Sequence, residues 1–267
     1  MSAMTTALAC LDGRVTPAAD AVISATDDGL LRGDGVFEVS RLYAGRPYAF
    51  DEHLARMEQS ARNLRLPFDA DRLRDDARAL LAEAGEVDAL LRQLWTRGGR
   101  RLSLIEALPP LPPSIRLGLV TYAPTRVLDG VKSLSYAANM LSTRLAQERG
   151  FDEALLVTPH GRVLEGPTSS FFWVRDGRLH TPPLSEHILD SITRRRVIEL
   201  MEDVVEESCT PDDLTHAQEA FLASSLREVM AVSAIEQTEL DRTGAITAEA
   251  GRRLRERIAE ELAVQTL

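Results

Sequence analysis

The sequence predicts an α+β protein of two domains, and three observations support this fold class. The chain has 267 residues, 44% of them hydrophobic and 27% charged, which is enough to bury a substantial core. Stretches with strand-like alternation and stretches with helical spacing occur in both halves of the chain. The segment APTRVLDG, with its proline and glycine, is typical of a linker. We therefore expect a first domain at 1–122, a linker at 123–130 and a second domain at 131–267.

The first domain is expected to combine a sheet with two helices. The spacing of Leu54, Met57 and Ala61 predicts a helix with Asp51 as its N-cap, and a second helix is predicted to end at Gly85. Turns are predicted at RGDG and AGRP, between strand-like stretches. These stretches are AVISAT, VFEVSRLY, LRQLWTRGG, RLSLIEAL and IRLGLVTYA.

The second domain is expected to begin with a helix, ANMLSTRLAQERG, that Gly150 closes. The stretches EALLVT, RVLEG and SSFFWV alternate with turns, which predicts an antiparallel meander. Ser191 can cap a further helix, EAFLAS reads as a strand, and TAEAGRRLRERIAEEL predicts a terminal helix.

Charge and composition exclude several classes of partner. The net charge is −10, and acids and bases are mixed along the chain, which disfavours a nucleic-acid or membrane surface as the partner. No apolar stretch approaches the roughly 20 residues that a membrane helix needs, and the start MSAMTTALACLDGR lacks a signal-peptide layout. Cys10 and Cys209 stand far apart without metal-ligand spacing, so we expect buried thiols and no metal site. A cytoplasmic protein that acts on small molecules is the expectation.

The most informative residue is Lys132, the single lysine among 31 basic residues. Arginine replaces lysine in ion pairs and on solvated surfaces, but its guanidinium forms no imine with a carbonyl group. One lysine kept among so many arginines therefore indicates amine chemistry, although composition drift would also leave a surface lysine. Its position where the linker meets the second domain suits a ligand site between domains.

Other residues supply the groups that a carbonyl cofactor with a phosphate needs. Glu165 ends RVLEG, where a carboxylate can point into a cleft, although a solvated acid in a turn has the same sequence. A phosphate suits the helix start at Ile192 and Thr193, where backbone N–H groups are unpaired, but simple N-capping by Ser191 is the alternative. Further hydroxyl or cationic donors, each with an ordinary surface role as alternative, are Ser224, Ser225 and Arg56.

The order of these segments resembles class IV aminotransferases, the fold-type IV group of pyridoxal 5'-phosphate enzymes, over nearly the whole chain. The matching stretches are LLRGDGVFEV, DEHLARMEQSA, VKSLSYAANMLSTRLAQERGFDEALLV, GRVLEGPTSSFFWV, LHTPPLSEHILDSITRRRVIEL and EAFLASSLREVMAV. The resemblance implies that Lys132 is the Schiff-base lysine and Glu165 the acid facing the pyridine nitrogen. The implied phosphate ligands are Arg56, Ile192, Thr193 and Ser225. Leu189 would pack against the ring, and Tyr136 would face the cofactor's 3-oxygen.

The family implies a two-domain fold like that of D-amino-acid aminotransferases, with the cofactor in the interdomain cleft, a smaller N-terminal domain and a larger cofactor-binding C-terminal domain. It also implies a homodimer in which the partner's loops help to close the site. Two departures are Pro167, where small polar residues are usual, and Ala231, where proline is common.

The family contains D-amino-acid, (R)-amine and branched-chain L-aminotransferases and aminodeoxychorismate lyases. Phe37, Val39 and Arg41 alternate onto one strand face, and Phe37-Glu38-Val39 resembles the D-specific enzymes, whereas the lyases usually carry threonine in place of Val39. A substrate carboxylate needs a cation, and the candidates are Arg41 and the loop residues Arg97, Arg100 and Arg101.

We therefore predict ping-pong transamination between a D-amino acid or (R)-amine and an α-keto acid. The lyase, which releases p-aminobenzoate and pyruvate, and the branched-chain L-aminotransferase remain alternatives. More distant ones are a cofactor-free Schiff-base aldolase and a non-catalytic protein that binds pyridoxal 5'-phosphate.

Overall fold

Two compact units make up the chain in the computed structural model, which describes residues 7–264. Unit 1 comprises the described parts of Met1–Pro109 and Glu260–Leu267 together with Val131–Ser135. Unit 2 comprises Pro110–Gly130 and Tyr136–Ala259. The short return of the chain to unit 1 brings Lys132 into that unit, whereas the sequence analysis assigns it to the second domain.

Unit 1 is built on an antiparallel sheet, six-stranded in its described part, with the order β2-β1-β6-β5-β3-β4. Its strands are β1 Leu8–Leu11, β2 Arg14–Pro17, β3 Gly35–Tyr43, β4 Arg46–Pro47, β5 Ala89–Thr96 and β6 Arg101–Ala107. Its helices are α1 Asp28–Arg32, α2 Phe50–Asn63 and α3 Ala70–Ala84.

Helices α2 and α3 pack on one face of this sheet. Val36 and Leu42 of β3 point into that core, where they meet Leu54 and Met57 of α2 and Leu73 of α3. Because strand side chains alternate between faces, Phe37 and Val39 lie on the face that α2 and α3 do not cover. The sheet of unit 1 therefore has a helix face and a second face, which we call the open face.

Unit 2, all of which is described, contains an eight-stranded mixed sheet with the order β11-β10-β9-β12-β13-β7-β8, and β14 pairs with β13. Its strands are β7 Ile115–Thr121, β8 Glu153–Val157, β9 Ser170–Arg175, β10 Arg178–Thr181, β11 Val205–Glu206, β12 Glu219–Ser224, β13 Glu228–Ile235 and β14 Thr238–Glu239. The helices are α4 Ala137–Glu148, α5 Ile192–Leu200 and α6 Ala245–Val264, of which residues 260–264 belong to unit 1.

Both faces of this second sheet are covered near its centre. In β9, Phe171 and Trp173 join one core cluster, whereas Phe172 and Val174 join another with Val197 of α5. A strand buried on both faces carries a continuous apolar run rather than an alternating one, and SSFFWV has this pattern.

The predicted meander of EALLVT, RVLEG and SSFFWV is confirmed only in the antiparallel contact of its first two stretches, and the third stretch, β9, does not continue it. β8 pairs in parallel with β7, and β7 pairs in parallel with β13, so β8 lies at the sheet edge away from β9. RVLEG is too irregular to form a named strand, but it lies antiparallel to β8 through the bridge between Val157 and Val163 and the backbone bonds of Leu156 with Leu164 and Glu165; the turn from Gly166 to Ser169 follows it. Parallel pairing joins segments that are remote in sequence, so local alternation gives no sign of it.

The predicted division at 122, 123–130 and 131 also differs from the contacts. β7 belongs to the sheet of unit 2, and so does the segment 110–130, while 131–135 lies in unit 1. The run LPPLPPS, rather than APTRVLDG, marks the point where the chain leaves unit 1.

Most other element predictions are confirmed. The helix ends at Gly85 and near Gly150, the Ser191 cap, the strand EAFLAS and the terminal helix all occur. Two details are wrong. AVISAT contains no strand, because a short 3-10 helix at Ala18–Asp20 has already turned the chain away from the sheet. Asp51 lies in the first turn of α2, which begins at Phe50 after Ala49 in a left-handed conformation.

Within residues 7–264, no helix is long and apolar enough to cross a membrane. Cys10 and Cys209 are both buried and free.

Candidate active site

Lys132 lies on a short segment that docks onto β3. The Phe37 N–H donates to the Lys132 carbonyl at 3.1 Å, and the Leu134 N–H donates to the carbonyl of Gly35 at 2.9 Å. A methyl group on Gly35 would stand 2.5 Å from the Trp95 carbonyl oxygen and 2.6 Å from Leu134, so glycine is required for this close approach. The backbone N–H of Lys132 donates to Ser60 Oγ of α2 at 3.2 Å.

The Lys132 amine lies over an aromatic ring. Its Nζ is 4.4 Å from the centroid of the Phe37 ring, and the Arg92 guanidinium carbon is 5.7 Å from the same centroid. Arg92 stands opposite Val39 in the β3–β5 register, so Phe37, Val39 and Arg92 share the open face. The face thus presents an amine and a guanidinium beside one buried ring, and Glu106 accepts from Arg92 Nε at 2.8 Å.

On the helix face of the same strand, Glu38 is the centre of a buried polar cluster. Arg56 of α2 donates to both carboxylate oxygens, from Nε at 2.6 Å and from Nη2 at 2.8 Å. His53, one helical turn before Arg56, places Nδ1 2.8 Å from Glu38 Oε2. The side chains of Glu38 and His53 are each 1% exposed, so this carboxylate is held by a bidentate, charge-assisted pair and a ring N–H.

The cluster sets the protonation of its members. Burial alone would raise the pKa of Glu38, but Arg56 and His53 together hold that pKa well below its usual range. Burial lowers the pKa of His53, against the opposing pull of Glu38. The imidazole is therefore neutral near pH 7, with its proton on Nδ1 facing the Glu38 carboxylate.

In unit 2, Glu165 is anchored through both its side chain and its backbone. Its Oε1 accepts from the Leu189 N–H at 3.0 Å, and its carbonyl accepts from the Leu156 N–H at 3.0 Å. This brings Glu165 into contact with Leu189, two residues to which the family resemblance gives separate roles at the cofactor ring. Burial raises the pKa of the nearby Tyr122, and the charge of Glu165 raises it further.

Two anion-binding features lie in the same unit. Ser191 caps α5 by accepting from the Arg194 N–H at 3.3 Å, and Ile192 and Thr193 form the first, buried turn of the helix. The turn after β12 holds Ser225, and there the Arg227 N–H donates to Ser224 Oγ at 3.2 Å. The Ser191 cap does not conflict with a phosphate role for α5, because a capped helix still presents further N–H groups.

Tyr136 donates its hydroxyl hydrogen to the Pro167 carbonyl at 2.8 Å, and the Asn139 amide donates to the same oxygen at 3.0 Å. Pro167, which departs from the family pattern, is thus hydrogen-bonded to the start of α4. Tyr136, Asn139 and Pro167 fix the loop directly after Glu165.

The three loop arginines predicted to approach a substrate carboxylate are each engaged elsewhere. Arg97 pairs with Asp34, and Arg100 pairs with Asp12. Arg101 pairs with Asp76 of α3, because its register partner is Trp95 on the helix face of the sheet. The structure does not place Arg101 on the face that carries Phe37. Arg41 does share the open face, with its guanidinium carbon 4.8 Å from the Tyr43 ring centroid.

Glu38, His53 and Arg92 lie around the lysine segment and β3 but were not among the residues predicted from the sequence. The sequence contained a sign of Glu38 and His53. Glu38 alternates with Val36 and Leu42 on one face of its strand, and DEHLAR places a histidine and an arginine one helical turn apart. Arg92 stands inside a strand, and only the cross-strand register shows its proximity to Phe37.

These groups fit the chemistry of pyridoxal 5'-phosphate. Within unit 1 the available groups are the Lys132 amine and the Arg56 guanidinium; within unit 2 they are the Glu165 carboxylate, the N-terminus of α5 and the hydroxyl groups of Ser224 and Ser225. These are the types of donor that this cofactor needs. In the described part of the chain, no group of three or more His, Cys, Asp or Glu side chains is arranged to hold a metal ion.

Known proteins resemble the chain over most of its length. A putative branched-chain-amino-acid aminotransferase of Methanocaldococcus jannaschii is 34% identical over 250 residues, 85% of this chain and 87% of that protein. A D-alanine aminotransferase of Bacillus licheniformis is 29% identical over 84% of this chain and 87% of its own length. An aminodeoxychorismate lyase of Bacillus subtilis is 29% identical over 85% of this chain and 86% of its own length.

Solved structures also resemble the chain over most of its length. A fold IV-transaminase from Curtobacterium pusillum superposes with a TM-score of 0.84 at 28% identity, covering 93% of this chain and 98% of that one. An aminotransferase from Brucella abortus bound to pyridoxal 5'-phosphate has a TM-score of 0.86 at 26% identity, covering 95% and 99%.

The fold and the donor set therefore define an enzyme of the fold-type IV class that uses pyridoxal 5'-phosphate. The model of the class IV aminotransferases matches residues 35–235. The chain belongs to this family.

The buried cluster predicts a pH dependence of stability. The folded pKa of His53 lies below its unfolded value of about 6.5, so acidification below that value protonates the unfolded chain first and destabilises the fold. The loss approaches about 1.4 kcal/mol per pH unit, whereas the Glu38 contribution is lost only at much lower pH. The urea midpoint of the wild-type protein should therefore fall between about pH 7.5 and 5.5.

The control is His53→Asn, whose amide keeps a donor near the Nδ1 position without titrating. This variant should show a shallower fall over the same range. Equal slopes for the two proteins would contradict the assignment of a buried neutral His53.

Proposed function

We propose that the enzyme transfers an amino group between a D-amino acid or another (R)-configured amine and an α-keto acid, by a ping-pong reaction. The observation that carries the proposal is the single lysine amine seated on the Phe37 ring, beside Arg92 on the open face. The order Phe37-Glu38-Val39 and the likeness to a D-alanine aminotransferase support the choice of configuration.

When bound, pyridoxal 5'-phosphate supplies an aldehyde that accepts an amine and a ring that withdraws electrons. Lys132 Nζ would hold the cofactor and then move the proton that leaves the donor carbon. Glu165 would hold a proton at the ring nitrogen, since its Oε1 is already oriented by the Leu189 N–H. The phosphate ligands would be Arg56, Ile192, Thr193, Ser224 and Ser225, with Leu189 against the ring and Tyr136 near the 3-oxygen.

The experiment mixes the cofactor-loaded enzyme with single amino donors and follows the absorption of the cofactor as it acquires the amino group. D-alanine, D-glutamate and (R)-1-phenylethylamine should convert it faster than L-leucine or L-isoleucine. The matched control is Lys132→Ala, which should lose conversion by orders of magnitude and should retain no cofactor after borohydride reduction and denaturation, because it has no other lysine.

A second function is favoured by the 34% identical relative named for branched-chain amino acids. Faster conversion with L-leucine and L-isoleucine would replace the D-specific proposal by this one. Release of p-aminobenzoate and pyruvate from aminodeoxychorismate, faster than any transamination, would favour the lyase reaction instead and leave the roles of Lys132 and Glu165 unchanged.

The substrate carboxylate is proposed to bind Arg92. Arg92 shares the open face with Phe37, whereas Arg100 is committed to Asp12 outside that face. Arg92→Gln should raise KM for amino-acid donors roughly tenfold or more, as expected for a lost charge-assisted bond. It should change KM much less for (R)-1-phenylethylamine, which lacks a carboxylate.

Arg100→Gln and Arg41→Gln are the matched controls for this prediction. Each removes one arginine, the first in the loop and the second on the same strand face. A KM increase confined to Arg41→Gln or Arg100→Gln would overturn the assignment to Arg92.

The enzyme is proposed to act as a homodimer through α4. Leu141 and Leu145 lie one helical turn apart and are 48% and 40% exposed, beside the exposed Ala137 and Ala138. An exposed apolar stripe on a helix is typical of a protein interface. Leu141→Glu with Leu145→Glu should convert a dimer to a monomer in sedimentation velocity, whereas Val127→Glu, at another exposed apolar position, should not. A wild-type monomer would contradict the proposal.

A further inference from the structure

Glu153 and Arg227 of unit 2 form a buried ion pair that the proposed reaction does not use. Glu153 begins β8, and its side chain is 5% exposed. Arg227 stands in the turn between β12 and β13, and its side chain is 20% exposed, with Nη1 in contact with Glu153 Oε2. The buried carboxylate and the partly buried guanidinium make this pair less exposed than others of the same unit, such as Arg149 with Glu236.

On one side the pair fixes the turn that carries Ser225. The backbone of Arg227 is tied to Ser224 Oγ at 3.2 Å, and the next residue, Glu228, has a left-handed conformation with φ +56°. A non-glycine residue in this conformation persists only where its surroundings hold it. The contact of the Arg227 side chain with β8 is such a constraint.

On its other side the pair touches the loop that follows Glu165. A methyl group on Gly166 would stand 3.2 Å from Glu153 Oε1 and 3.3 Å from the carbonyl of Ser169. The Gly166–Ser169 turn is closed by the Gly166 N–H, which donates to the Ser169 carbonyl at 2.8 Å. The Glu153 carboxylate therefore lies between the Ser225 turn and the Glu165 loop.

Electrostatics make this contact sensitive to the loss of either partner. Burial raises the pKa of Glu153, and Arg227 lowers it. Removal of Arg227 leaves a desolvated carboxylate beside Gly166, and removal of the Glu153 charge leaves the guanidinium without its counter-ion. In both cases the turn and the loop lose the contact that fixes their spacing.

We propose that Glu153 and Arg227 are a positioning pair, which holds the phosphate-binding turn of Ser224 and Ser225 at a fixed distance from the Glu165 loop and thereby sets the affinity for pyridoxal 5'-phosphate. The proposal rests on the proposed function, since it takes Ser225 as a phosphate ligand and Glu165 as the partner of the ring nitrogen.

The test compares cofactor binding in Arg227→Met, Arg227→Lys and Glu153→Gln with the wild-type enzyme. The dissociation constant for pyridoxal 5'-phosphate should rise roughly tenfold in the Met and Gln variants, the order expected for loss of a charge-assisted bond. Arg227→Lys keeps the charge and should recover part of the affinity. At saturation, the phosphorus NMR resonance of the bound cofactor should shift in the Met and Gln variants.

Arg149→Met is the matched control, because it removes an arginine from an ion pair of the same unit and leaves the turn intact. Its dissociation constant and phosphorus resonance should equal those of the wild type. Wild-type values for both quantities in Arg227→Met and Glu153→Gln would overturn the proposal, even if their melting temperatures fall. If Arg227→Met does not fold, Arg227→Lys and Glu153→Gln decide the matter. A wild-type enzyme that binds no cofactor would instead refute the proposed function.

Discussion

The bidentate contact between Arg56 and Glu38 is the constraint on which the functional face of unit 1 depends. Glu38 lies on β3 and Arg56 on α2, so the pair fixes the strand against the helix at one register. The preceding position on the strand is Phe37, which therefore faces the opposite side of the sheet, and its N–H donates to the Lys132 carbonyl. A desolvated carboxylate is costly unless it is paired and hydrogen-bonded, and here both oxygens are engaged. Any slip of the strand would leave Glu38 buried without partners, so the position of the lysine amine follows from the cluster beneath it.

Arginine and lysine have different roles in this chain because their charged groups differ in chemistry. Structural ion pairs throughout the described chain use arginine, whose planar fork suits carboxylates and whose charge survives burial. Lys132 alone offers an amine that can lose its proton and bond to a carbonyl carbon. The Phe37 ring beneath Nζ adds a face that attracts a cation without donating or accepting a proton there.

Helix ends could be predicted from adjacent residues, whereas strand order and the domain boundary depend on contacts between distant segments. Gly85, Gly150 and Ser191 mark helix ends because capping is a property of a few adjacent residues. The parallel pairing of β7 with β8 and β13 joins distant segments, so the domain boundary and the order of strands in unit 2 were beyond local patterns. Among the predicted site residues, Glu165 and Leu189 lie in contact, a proximity that their roles in the family resemblance did not specify. Arg92 was missed because its nearness to Phe37 exists only once β3 and β5 are in register.

The same register underlies the proposal that Arg92, inside a strand, binds a substrate carboxylate in preference to the arginines of the neighbouring loop. Thr96 and Arg100 close that loop by backbone bonds, and Thr96 Oγ1 donates to the buried Asp27 at 2.9 Å, so the glycines serve a tight turn rather than mobility. Arg97 and Arg100 pair with Asp34 and Asp12, and Arg92 itself pairs with Glu106, so the distinguishing feature of Arg92 is the face of the sheet on which it lies. Arg92 is held by the strand ladder and lies beside the ring that carries the amine, so its direction is set before a substrate arrives. Under the proposed role of Arg92, binding energy would not be consumed in ordering a loop, and the substrate would bind on the face where Lys132 Nζ lies over the Phe37 ring.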